Sequence, residues 1–170
     1  MVTRPIEAMK VLREEVIKAI KINTWHPVNL KDLSEKEQTL IILQMINYLK
    51  KYKPDATFDK YKVQVLARGD KQVFSGESEG PVARIEMLIM LLAIAIYNDF
   101  VIFKVDVGSA FMRTLINHDV KHKWVKLDKR VVELLLELEN EKYKDYVLPD
   151  GSLIVEIDKL SYGYVEAVHY

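Results

Sequence analysis

An α+β fold, with mixed α/β as its near neighbour, is what the sequence predicts, and three observations lead there. The 170 residues are 49% hydrophobic and 29% charged, the balance of one globular domain or part of one rather than of a disordered chain. The hydrophobic period alternates between helical and strand-like, in the order helix, helix, strand, helix, strand, strand, helix, strand. No internal repeat or low-complexity tract interrupts that order.

The elements follow from local signals. Ile6, Met9, Leu12, Val16, Ala19 and Ile20 recur at helical spacing after Pro5, with acids early, which predicts a surface helix over 5–22 with one buried face. NTWHPVNL is irregular or extended, because Pro27 steers His26 away from helical backbone. Ser34 stands three residues before Glu37, a capping-box spacing, so a second helix is expected through EKEQTLIILQMINYLKKYK to Pro54. In YKVQVLARG, Tyr61, Val63 and Val65 alternate with polar residues and Gly69 ends the run, a strand with Lys62 and Gln64 on its other face. After the loop SGESEGP, residues 81–97 predict a buried core helix, and FVIFKVDVGSAF a strand. HKWVKLD reads as a strand, DKRVVELLLELENEK as an amphipathic helix, LPDG as a turn and SLIVEID as a final strand.

With no cysteine in the chain, disulfides and thiolate metal sites are excluded and an intracellular protein is favoured. The longest apolar run, IEMLIMLLAIAIYNDFVIF, carries Glu86, Asn98 and Asp99 and falls short of the ~20 clean apolar residues of a membrane span. No apolar signal region is legible at the N-terminus. Net charge is zero, which taken alone argues against a nucleic-acid partner, but the charges are segregated. Residues 1–70 hold 13 bases against 9 acids and 101–130 hold 7 against 3, while 131–170 hold 3 against 9, so basic stretches are offset by an acidic tail.

Asp106 is the most informative carboxylate. It follows the apolar run VIFKV, where an unpaired buried charge costs several kcal/mol, so it either caps a turn at the strand end or binds a cation. Mg²⁺ needs only one or two protein carboxylates, and Gly108 would let a substrate approach the backbone. His118 and His122 have helical metal-site spacing, but HDVKH lacks the glutamate of the metalloprotease motif, and Lys121, His122 and Lys123 read more plainly as a solvated basic loop. Lys62 and Arg68 are either a solvated strand face or phosphate ligands, the one a point charge and the other a fork. Tyr162 and Tyr164 can stack on bases or fill a core.

Taken in order, YKVQVLARGDKQ, GPVARIEMLIMLLAIA, FKVDVGSAF and VEIDKLSYGYVEAVHY resemble the copia-type reverse transcriptase domain of long-terminal-repeat retrotransposons. The resemblance runs over about 53–170, and NTWHPVNL is more loosely similar to the upstream region, so the chain divides into an upstream part, 1–52, and a fingers-and-first-palm part, 53–170. It implies an incomplete fingers-and-palm fold, helices packed on a small, mostly antiparallel sheet, and an RNA-directed DNA polymerase using two Mg²⁺ ions. By that resemblance Asp106 is the first metal ligand and catalytic carboxylate, and Phe111 lies beneath the incoming sugar and excludes a ribose hydroxyl. Gly108 offers backbone to the triphosphate, Lys62 and Arg68 bind triphosphate or template, and Tyr162 and Gly163 pack against template and nucleotide. The implied partners are an RNA or DNA primer–template and deoxynucleoside triphosphates, with no membrane.

The sequence also departs from the family. Gln64 stands where an arginine is usual, Glu166 where a glutamine is usual, and Val168 at a position often held by proline or a small residue. Glu166 adds negative charge near an anionic substrate. The family's hairpin with two adjacent aspartates is expected beyond Tyr170, since no such pair occurs in the sequence. One carboxylate of three does not assemble a two-metal site, so the expectation is a fragment inactive by itself. The alternative is a non-catalytic retrotransposon remnant that binds nucleic acid or another protein.

Overall fold

A computed structural model of the chain describes residues 6–72, 83–105, 115–116, 122–160 and 163–164. Its centre is strand β5, Leu153–Ile157, in which Leu153, Ile154, Val155 and Ile157 are all buried. Burial of successive residues requires cover on both faces, the condition of an interior strand. β5 accordingly lies between two antiparallel neighbours, β1 (Trp25–Pro27) and β4 (Trp124–Leu127), with Trp25 opposite Ile157 and Val125 opposite Val155. β4 pairs in parallel with β2, Ile42–Tyr52, and β2 forms a long antiparallel hairpin with β3, Phe58–Ala67. The strand order is β1-β5-β4-β2-β3, a mostly antiparallel five-stranded sheet in an α+β architecture.

Two helices close the core. Helix α1, Ile6–Lys21, buries Ala8, Leu12, Val16 and Ala19, the stripe that the sequence period marks out. It ends where Asn23 takes a left-handed backbone, φ 49°, and the amide of Thr24 donates to the Ala19 carbonyl at 3.0 Å, a Schellman-like stop. Helix α4, Lys129–Tyr143, starts at Asp128, whose side chain accepts from the amide of Arg130. It buries Val131, Val132, Leu135 and Tyr143, and bends at Glu139, where the backbone leaves helical geometry. Arg13 and Glu137 tie the two helices at 2.8 Å.

The segment after Ser34 departs from expectation. The capping box forms, with Ser34 and Glu37 bonded reciprocally, but helix α2 is only Glu35–Gln38. The chain then becomes β2 instead of continuing helically to Pro54. Isoleucines at 41, 42 and 46 suit a pleated surface, and Ile42, Gln44, Ile46 and Tyr48 share the face turned to the core, with Ile42 and Ile46 buried. The hairpin partner decides between two periods that the sequence fits almost equally. Residues 53–57 close the hairpin, with Lys53 and Thr57 hydrogen-bonded at 2.9 Å and Asp55 accepting from the Thr57 amide and hydroxyl.

Two further expectations change. Helix α3, Ile85–Tyr97, forms as its apolar run predicts, yet none of its residues is buried. Leucine, isoleucine and methionine lie on every side, the pattern of a helix covered all round, so its exposure leaves a large apolar surface open. The following residues, 100–105, are not a strand, and Phe103 and Val105 are exposed. Among the described residues, no helix is long and apolar enough to cross a membrane.

Candidate nucleic-acid interface

Of the residues singled out from the sequence, Lys62, Gln64, Arg68, His122, Lys123, Gly163 and Tyr164 fall within the described structure. Asp106, Gly108, Phe111 and Tyr162 lie outside the described residues, as do His118, Lys121, Glu166 and Val168.

Lys62 sits on β3, opposite Leu49 of β2, and lines a groove between β3 and α1. The helical wall of that groove carries Glu7, Glu14 and Glu15. Lys62 lies on the opposite face of β3 from Val63 and Val65, so these acids make no ion pair with it, and their negative charge opposes any anion brought to the groove. Arg68 follows the last residue of β3, and its amide donates to the Leu43 carbonyl at 2.9 Å. Its guanidinium is forked onto Asp70, Nε to Oδ1 at 3.1 Å and Nη2 to Oδ2 at 2.6 Å. The bond from Arg68 holds the Asp70 carboxyl below its usual range, and Asp70 in turn raises the Arg68 guanidinium. The planar fork that would take a phosphate is thus filled by a carboxylate two residues away.

Gly163 stands at φ +91°, in the left-handed region. A Cβ there would meet the backbone of Ala67, 3.2 Å from its nitrogen and carbonyl carbon and nearer still to its oxygen. Only glycine fits both conditions, and the contact sets Gly163 against the end of β3, one residue before Arg68. Tyr164 is buried beside it and receives the ammonium group of Lys123 over its ring at 5.1 Å. Lys123 is itself buried, so it packs into the structure instead of forming the solvated loop expected of it.

A cluster not singled out from the sequence lies where β1, β5 and β4 run side by side. His26 Nδ1 lies 2.9 Å from Asp158 Oδ1, and its Nε2 lies 3.5 Å from Glu156. His122 Nδ1 lies 2.5 Å from the other Glu156 oxygen and stacks on Trp124. Cross-strand register makes the cluster, since Glu156 pairs with both His26 and Trp124. These contacts form a chain of pairs, and among the described residues no group of three or more histidines and carboxylates is arranged to hold a metal ion. Asp106, the Mg²⁺ ligand that the resemblance implies, lies outside the described residues.

No protein-family model, curated protein or solved structure matches this chain.

Proposed function

We propose that the chain is a fingers-and-first-palm segment of a copia-type reverse transcriptase, an intracellular protein that binds primer–template and does not polymerise by itself. One observation carries this reading: the contact of Gly163 with Ala67 joins two of the four sequence blocks on which the resemblance rests, blocks far apart along the chain. Arg68 follows Ala67 directly, so the glycine that the resemblance assigns to template packing stands beside a basic residue that it assigns to triphosphate or template. In this reading Lys62 and Arg68 attract the phosphates, and Tyr162 and Gly163 present backbone to the template. Gly108 and Phe111 shape the nucleotide pocket, and Asp106 is one metal ligand. The metal ions would activate the primer hydroxyl and steady the leaving pyrophosphate. With no adjacent aspartate pair in the sequence, these residues alone do not complete that centre.

The test is binding of a fluorescent RNA–DNA primer–template over a salt series. Affinity should fall as salt rises, because phosphate contacts release counterions. Arg68→Ala should weaken binding and lower the salt slope by about one unit. Asp70→Asn, which frees the fork, should strengthen it. Binding that ignores salt and both substitutions would defeat the reading, and template-dependent synthesis abolished by Asp106→Asn would defeat the statement that the chain does not polymerise.

A second reading, a remnant acting only as a nucleic-acid-binding or interaction protein, is favoured by the Asp70 carboxylate in the Arg68 fork and the acids lining the groove beside Lys62. It expects Asp106→Asn to leave binding unchanged with and without Mg²⁺.

A further inference from the structure

The groove between α1 and β3 has a volume of about 640 Å³, within the usual size of ligand sites. Its lining has a feature that a pocket above a sheet lacks. Every residue from Phe58 to Val65 contributes, without alternation. Side chains of a strand alternate between faces, so an uninterrupted run means that the backbone edge itself borders the space. β3 stands at the end of the strand order and pairs with β2 on one side, and among the described residues its other edge has no ladder partner. Unpaired amides and carbonyls along an edge are a template for another strand.

The walls specify the visitor. On the helix, Glu7, Val11 and Glu14 follow one another along a single stripe, an apolar residue between two acids. On the strand side stand Lys60 and Lys62, with Val63 and Val65 forming an apolar floor. Among the described residues Glu7, Glu14, Lys60 and Lys62 make no ion pair. An extended segment lying against β3 would turn alternate side chains toward α1 and toward the lysines.

We propose that this groove binds an extended peptide of a partner protein as a sixth strand, with basic, apolar and basic side chains facing Glu7, Val11 and Glu14 and acidic ones between them facing Lys60 and Lys62. Main-chain bonds to the open edge supply affinity and the alternating charges supply selectivity. A second copy of this chain fits less well, because antiparallel pairing of β3 with β3 about Tyr61 sets Lys60 of each copy against Lys62 of the other. The proposal does not rest on the polymerase reading, although both use Lys62.

The test uses the whole chain and two blocked peptides of equal composition, acetyl-Thr-Lys-Glu-Val-Glu-Lys-Thr-amide and its charge exchange, acetyl-Thr-Glu-Lys-Val-Lys-Glu-Thr-amide. Both read alike in either direction, so strand orientation does not matter. The first should bind about ten-fold more tightly, as several exposed charge pairs together allow, and should shift the amide resonances of residues 58–65. A doubly substituted chain, Glu14→Lys with Lys60→Glu, should narrow or reverse the preference. Should that variant not fold, the two peptides on the unsubstituted chain still decide. Equal binding of both peptides, shifts confined elsewhere, concentration-dependent pairing of β3 with itself, or uptake of a single-stranded oligonucleotide in place of either peptide would each overturn the proposal.

Discussion

Ala56 holds a left-handed backbone, φ 63°, in the turn between β2 and β3. A residue with a Cβ costs about 1–2 kcal/mol there, and glycine escapes most of that cost while gaining freedom in the unfolded chain. Ala56→Gly should therefore stabilise the protein by about 0.5–1 kcal/mol in urea unfolding, and a loss of stability would show that the turn is set by something other than this residue. Asp150 illustrates the same scale in electrostatics. It accepts from Lys126 at 2.7 Å and from the amide and hydroxyl of Ser152, and these bonds, that from Lys126 foremost, hold its carboxyl far below the ordinary range. Because the folded value is the lower one, the carboxylate contributes stability above its unfolded value, near ~3.9, and that contribution is lost as pH falls from there toward the folded value. Asp150→Asn should flatten the acid limb of a stability–pH profile followed by circular dichroism. An unchanged limb would mean that other carboxylates govern it.

Among the elements, α4 is the one whose start is most clearly chemical. Asp128 accepts from the Arg130 amide at 3.0 Å and from its guanidinium, while its own amide is met by Gln44. Asp128→Ala should cost about 1 kcal/mol, read as a shift in the unfolding midpoint. Elements that depend on neighbours in sequence were legible: α1 and α4 by their stripes, β5 by its apolar run, the Ser34 capping box by its spacing. What escaped was decided at a distance. From Leu40 to Tyr52 the same residues satisfy a helical stripe and a core-facing strand, and the pairing with β3 selects the strand. The cluster of His26, His122, Glu156 and Asp158 was invisible for a similar reason, since only register brings two histidines to one glutamate. Lys62, Arg68 and Gly163 were named from sequence, but neither the acids on the helical wall of the groove nor the Asp70 clamp on Arg68 follows from the strand pattern.

For the whole molecule, stability is unevenly shared. The core joins α1, α4 and the sheet, whereas α3 is exposed along its length. A helix of 13 residues without a packed face is near the limit of what persists in water. Amide hydrogen exchange should therefore be far faster in residues 85–97 than in β5, whose opening requires the core to open. Equal protection in both would mean that α3 is buried in solution. The overall charge balance, neutral in sum, resolves locally into paired groups such as Arg13 with Glu137 and Lys126 with Asp150.

The position of β5 also orders events in time. As the chain leaves the ribosome, α1 and the β2–β3 hairpin can associate early, because their partners lie within the first 67 residues. β1 emerges sooner than the hairpin, yet its neighbour in the sheet is β5, the latest in chain order of the described strands. Loops of that length close slowly, and β1 and the free side of β4 wait unpaired until β5 arrives between them. Synthesis rate, more than equilibrium stability, then governs how long two aggregation-competent edges stay open in a newly made chain.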